Sequence, residues 1–253
     1  MSVLEKIIRD RKPDIPTAKE AQAFRCEPTT KDVKATLQKS ENKLRLIAEL
    51  KRKSPSQGEI NPKIDVEAAV KLYRPFAAAM SILTEPNYFG GSLEDLSRAA
   101  ELTDIPLLRK DFITDTKQVK EARHYGADFY LLIVAALAPS QLSELLDAGK
   151  EWNMPALVEI HNEKEAEIAL AAGVEILGVN NRNLHDLSID LLTTNRIYEN
   201  LEKELQSIIL ISESGFKSRT DFTGLPERID GVLIGTTFMK SPEPAQLLKE
   251  MFG

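Results

Sequence analysis

The chain has 253 residues, 42% hydrophobic and 28% charged, with 33 Lys and Arg against 39 Asp and Glu and a formal net charge of −6. That composition supports a sizeable core without disulfides, since Cys26 is the single cysteine, and it lacks the basic balance of a general nucleic-acid binder. Apolar runs such as 131–137 fall far short of the ~20 residues that cross a bilayer, and the first dozen residues mix charges of both signs, so the expectation is a cytoplasmic protein with no membrane partner.

The first 45 residues stand apart from the rest of the chain and read as extra helices, broken at Pro13 and Pro16, lying across one end of the fold. Beyond them, short runs of Ile, Val and Leu alternate with amphipathic stretches. Strands are predicted at 46–50, 79–83, 106–108, 129–134, 156–160, 176–179, 208–211 and 231–234, each apolar enough to be buried on both faces. Helices are predicted between them. At 140–152 Leu142, Leu145 and Leu146 share a face, and at 163–172 Ala166, Ala169 and Leu170 do. Eight such units, with no glycine-rich dinucleotide loop, predict an α/β protein built as a TIM (β/α)8 barrel. Residues 1–253 form one domain in this reading, with 1–45 as a helical extension covering the barrel mouth.

A barrel builds its active site at the C-terminal ends of its strands, so polar residues there are the informative ones. Glu49 and Lys51 close the first strand on one face by alternation, although Lys51, Arg52 and Lys53 also read as a solvated charge run. Leu108, Lys110 and Phe112 share a side at the third strand, and Glu159 ends the fifth. Charged groups at equivalent points of three strands are hard to attribute to rim salt bridges alone. Asn180 and Arg182 follow the sixth strand, and an Arg fork suits a carboxylate. Glu213, Ser214 and Gly215 end the seventh and Gly235 and Thr236 the eighth, where barrel loops commonly hold phosphate through backbone N–H groups. Ser54, in the loop after the first strand, closes the same side. Phe89, Phe112, Leu108, Leu131, Ile133 and Leu184 are candidates for an apolar pocket, or else core. His124, His161 and His185 have no metal-ligand spacing, and neither a Walker A nor a GxSxG motif occurs, so no metal or cofactor is expected.

The segments IAELKRKSPSQGEI, SILTEPNYFGGSLEDL, LLRKDFITDTKQVKEARHYGAD, LLIVAAL, LVEIHNEKEAEIALAAG, GVNNRNL, ISESG and GVLIGTTFMK resemble, in order and spacing, the indole-3-glycerol phosphate synthases of tryptophan biosynthesis. The resemblance spans the barrel from Leu46 to Met239. It implies a lyase that closes, decarboxylates and dehydrates 1-(2-carboxyphenylamino)-1-deoxyribulose 5-phosphate. By the same resemblance Lys110 is the general acid, Glu159 the general base, and Lys51 a substrate contact and proton carrier. Glu49 and Glu213 complete the polar site, and Asn180 and Arg182 orient the substrate and its carboxylate. Ser54, Gly215, Gly235 and Thr236, with Ser214 nearby, match the phosphate site, and the family leans towards a monomer acting on one small anionic substrate. Three alternatives stand beside this reading: a Schiff-base aldolase, a phosphoribosyl isomerase, and a barrel that binds a phosphorylated metabolite without catalysis. The aldolase needs a lysine whose pKa falls from ~10.4 towards ~7, roughly 4.6 kcal/mol of selective destabilisation, and nearby carboxylates oppose that.

Overall fold

The computed structural model describes residues 2–40, 43–184 and 186–253; His185, one of the three histidines considered above, lies outside them. Eight strands, β1 (Arg45–Leu50), β2 (Ala79–Leu83), β3 (Leu107–Lys110), β4 (Phe129–Ile133), β5 (Ala156–Ile160), β6 (Ile176–Asn180), β7 (Ile209–Glu213) and β8 (Gly231–Ile234), form a closed parallel barrel. Closure pairs Arg45 with Gly231 and Ile47 with Leu233, which leaves the barrel no unpaired edge. The helices are α1 (Val3–Arg11), α2 (Ala18–Ala23), α3 (Val33–Leu37), α4 (Val66–Tyr73), α5 (Pro86–Phe89), α6 (Leu93–Leu102), α7 (Thr116–His124), α8 (Pro139–Lys150), α9 (Glu163–Ala171), α10 (Leu192–Asn200), α11 (Thr236–Lys240) and α12 (Pro244–Phe252). Several start where the sequence supplies an acceptor side chain. Asp65, Ser92 and Asn162 each cap a helix, and Asp115 with Gln118 makes a reciprocal capping box. Among the described residues no helix is long and apolar enough to cross a membrane.

Each strand divides its residues between two cores. Ala48, Leu50, Met80, Ile82, Leu132, Val158 and Leu177 point outward and pack under the helices. Ile47, Ala79, Leu108, Phe129, Leu131, Leu157, Ile176, Ile211 and Leu233 point inward and fill the barrel. The strand predictions agree with this frame and err at the charged ends. β3 runs on to Lys110, β6 to Asn180 and β7 to Glu213. Polar residues suggest a loop to a sequence reader, but here they find partners inside the barrel or, for Arg109, under α7, so the ladder continues through them. The loop after β1 also folds into a two-residue hairpin, Lys53–Ser54 with Gly58–Glu59, which apolar periodicity gives no reason to expect.

The extension serves both ends of the barrel, whereas the sequence suggested one. α1 lies over the C-terminal mouth, anchored by Arg11, which pairs with the buried Asp111 at 2.5 and 3.0 Å. α2 packs along α7, and beyond it Phe24 stacks on His124 with ring centroids 4.8 Å apart. α3 then inserts Val33 and Leu37 into the inward-facing cluster at the opposite end. Two carboxylates at strand entrances fix this lower part. Asp128 accepts from the Thr29 hydroxyl at 2.6 Å and pairs with Lys31 at 2.8 Å, while Asp230 accepts the Lys39 N–H at 3.2 Å.

Candidate active site

Alternation explains how charged residues come to sit on a dry barrel core. Ile47 is followed two residues later by Glu49, Leu108 by Lys110, Leu157 by Glu159, and Ile211 by Glu213. The apolar member of each pair fills the barrel, and the polar member forms the layer above it. Two glycines make room for this layer. A Cβ on Gly178 would meet the Glu213 carboxylate, and one on Gly235 would meet Glu49. Gly235 thus has a packing reason to be glycine, apart from the close approach of phosphate expected from sequence.

Lys110 is the hub of the layer. Its Nζ lies 2.6 Å from Glu213 Oε2, 3.7 Å from Glu159 Oε2 and 3.8 Å from Glu49 Oε2. Burial disfavours its ammonium, but the three carboxylates outweigh burial and hold its pKa above the usual lysine value. Lys51 pairs directly with the other oxygen of Glu49. Burial opposes ionisation of Glu49 as well, yet Lys51 and Lys110 together keep its pKa below the ordinary value. Glu159 is likewise held low against burial, by His161, Lys110 and the Asn180 amide. Glu213 goes the other way. Burial, together with the negative charges of Glu159 and Glu49, exceeds the help from Lys110 and raises its pKa to about 7. The site therefore holds carboxyls pushed apart in acidity, beside a lysine that keeps its proton.

Glu49, Lys51, Lys110, Glu159, Asn180 and Arg182 line one cavity, together with Ser54, Ser214, Gly215, Gly235 and Thr236. The charge run after β1 is not a solvated stripe. Lys51 turns into the cavity, Arg52 pairs with Asp95 at 2.5 Å, and Lys53 donates to the Asn87 carbonyl at 2.6 Å. Arg182 is steered by a bond to the Leu187 carbonyl at 3.0 Å, and partial burial draws its pKa down. At the end of β7, Ser214 has φ 70° and Gly215 φ 99°. A serine in the left-handed region is strained, and it occurs here at the cavity rim, where such strain commonly accompanies a binding function. α11 begins just after Gly235, and its first N–H groups have no intrahelical acceptors.

The apolar side of the cavity is formed by Phe89, Phe112, Leu131, Ile133 and Leu184. Phe89 is presented by α5, whose N-cap Glu85 is buried and accepts from the N–H groups of Asn87, Tyr88 and Phe89 at 2.9, 2.6 and 2.9 Å. Its ring lies 6.0 Å from that of Phe112. Leu108 is a correction: it is fully buried in the barrel and does not line the cavity, because alternation with Lys110 places it one layer down. Glu213 also lies behind the surface, reached through Lys110. The sequence reading overlooked Val3, Leu4 and Ile7, which bring α1 to the cavity wall. Their three-to-four spacing was visible, but not the surface they cover. It also passed over Arg109 and Asp111, which flank Lys110 and are both buried. Asp111 accepts from Arg11, Arg109 and the Thr84 hydroxyl, and Arg109 also reaches Glu121 at 2.9 Å. This network fixes the strand end from which Lys110 projects.

Comparison with solved structures recovers the architecture. A 3-hexulose-6-phosphate synthase matches with TM-score 0.62 and 16% identity over 83% of this chain and 97% of that one. KGPDC from Streptococcus mutans matches with TM-score 0.60 and 14% identity over 82% of this chain and 95% of that one. At such identities the likeness concerns the fold alone. Sequence relatives carry more. The indole-3-glycerol phosphate synthase of Dehalococcoides mccartyi is 40% identical over 98% of this chain and 99% of its own length, and that of Aquifex aeolicus is 44% identical over 83% and 81%. The family model described as indole-3-glycerol phosphate synthase matches residues 4–251. The chain belongs to the indole-3-glycerol phosphate synthase family.

Proposed function

We propose that this cavity converts 1-(2-carboxyphenylamino)-1-deoxyribulose 5-phosphate into indole-3-glycerol phosphate, carbon dioxide and water, with Lys110 as general acid and Glu159 as general base. The observation that carries the assignment is the placement of Lys110: a protonated amine among three carboxylates, beside an aromatic pocket and opposite a rim suited to phosphate. The ring carbon bearing the carboxylate attacks the keto carbon, and the ammonium of Lys110 delivers a proton to the keto oxygen as it becomes a hydroxyl. The C–C bond to the carboxylate then breaks, and its electron pair restores the aromatic ring as carbon dioxide leaves. In the last step the hydroxyl departs as water on receiving a proton from the lysine pair Lys51 and Lys110, while Glu159 takes up the proton released from the new ring. A positioned acid or base of this kind contributes about 10²–10⁴ in rate.

The remaining groups orient the substrate. Arg182 and Asn180 face its carboxylate, and Phe89, Phe112, Leu131, Ile133 and Leu184 enclose its ring. Ser54, Ser214, Gly215, Gly235 and Thr236 hold the phosphate through hydroxyl and backbone donors. The same proposal takes one small anionic substrate per chain, a monomeric working unit and a cytoplasmic setting, to which the free thiol of Cys26 is suited. A Schiff-base route needs a neutral lysine, and the carboxylates around Lys110 oppose it. Incubation with the carboxyphenylamino-deoxyribulose phosphate, without added cofactor, is expected to produce indole fluorescence. Borohydride is expected to leave Lys110 unmodified. A folded chain that yields no indole product, or a trapped substrate–Lys110 adduct, overturns the assignment.

A further inference from the structure

His161 lies two residues beyond Glu159, yet β5 has ended at Ile160 and the imidazole stands beside the carboxylate, outside the lining of the substrate cavity. Its Nδ1 is 3.1 Å from Glu165 Oε2 in a hydrogen bond, and its Nε2 is 3.3 Å from Glu159 Oε1 at ion-pair distance without hydrogen-bond alignment, with the side chain only 10% exposed. Glu165 is itself held from several directions. Its Oε2 accepts the His161 backbone N–H at 2.8 Å, its Oε1 accepts the Asn162 amide at 2.7 Å, and its own N–H donates to Asn162 Oδ1 at 3.0 Å.

A neutral imidazole carries one N–H and one lone pair, so carboxylates at both nitrogens would set that lone pair against an anion. An imidazolium has a donor for each. The other charged groups around its cavity are Glu5 and Arg9 of α1, Lys12 just after it, Arg182 and Asp190 of the loop after β6, and Arg196 of α10. The two carboxylates in contact dominate this mixed set. Burial works against the ring's charge, but Glu159 and Glu165 outweigh it and raise its pKa to about 10.

We infer that His161 is a positioning residue for the reaction: held as an imidazolium between Glu159 and Glu165, it fixes both the charge and the orientation of the Glu159 carboxylate. Glu159 Oε1 faces the His161 ring at ion-pair distance, and Oε2 faces Lys110 and the cavity. Without the imidazolium, Glu159 would depend on Lys110, which it shares with Glu213 and with Glu49, the last also paired with Lys51, and burial would then favour protonation of Glu159.

The inference rests on Glu159 being the base, and the test separates the two claims. His161→Asn, Glu165→Gln and Glu159→Gln are compared with wild type by steady-state kinetics between about pH 4.5 and pH 8, with folding followed by circular dichroism. His161→Asn is expected to lower kcat by about ten- to a hundredfold through misplacement of the base, with KM little changed. The ratio of its kcat to that of wild type, which cancels the ionisations of the substrate, is expected to fall further towards acid, because a carboxylate deprived of a neighbouring cation regains about 1 to 3 pH units. Glu165→Gln is expected to move the ratio in the same direction by less, and it carries the test if His161→Asn does not fold. If Glu159→Gln is inactive while the ratio for the folded variants stays flat with pH, the positioning role is overturned and the base assignment stands. Full turnover in Glu159→Gln overturns both.

Discussion

Around Lys110, one ammonium shared by three carboxylates means that each substitution there has a distinct signature. Lys110→Ala and Glu159→Gln are each expected to lose about 10²–10⁴ in kcat while keeping the wild-type circular dichroism spectrum; near-wild-type turnover in either removes its assigned role. Glu213 gives a stability prediction. Its folded pKa of about 7 lies above the ordinary 4.5, so the folded state holds its proton more tightly. Its contribution is therefore fully present below pH ~4.5 and lost as pH rises through ~7. Relative to wild type, Glu213→Gln is expected to gain stability between pH 5 and pH 8, on the order of 2 kcal/mol, as read by urea unfolding at each pH. A difference that is constant across that range contradicts the assignment. Glu159 was legible because a charged residue inside an apolar strand is conspicuous, and Lys110 because it follows such a strand on the same side as Leu108. For His161 the sequence shows only that it lacks metal-ligand spacing, since its contact with Glu165, four residues away on α9, depends on the fold.

Elements locate the site, and their limits were read less well than their existence. The apolar half of every barrel strand announces itself, while β3 and β7 carry on through Arg109, Lys110 and Glu213 because those side chains find partners across the barrel or under α7. α1 was anticipated as a helix near one end, but its cavity-facing residues Val3, Leu4 and Ile7 were not, since their partners come from distant loops. The clamp that seats it is Arg11 on Asp111, both buried. Arg11→Ala leaves Asp111 short of a cation and is expected to cost about 3 kcal/mol in unfolding free energy, with KM rising more than kcat falls. An unchanged KM argues that α1 does not shape the substrate cavity. Phe112→Ala, which removes a ring from the apolar wall without removing a proton donor, is expected to lower turnover; full turnover and affinity contradict the ring pocket.

For the whole molecule, the net charge of −6 runs opposite to the needs of an anionic substrate. Charges farther than ~8 Å are largely screened at physiological salt, so the proposed function assigns recognition to Lys51, Lys110, Arg182 and the rim beyond β7 and β8. The far end of the barrel has a separate task. Leu37 is fully buried there, and Leu37→Ala is expected to cost about 2–5 kcal/mol while leaving kcat unchanged at temperatures where the variant is folded. A loss of turnover without a loss of stability contradicts that division between the two ends. The route of the N-terminal segment also bears on how the chain comes together during synthesis. Part of what is made first waits for seats made last: Lys39 meets Asp230 across 191 positions, and β1 meets β8. Contacts so distant in sequence form slowly. A nascent chain cut short before Asp230 can neither close its cylinder nor make the Lys39 contact, so only the last part of this segment's docking waits for the final strand.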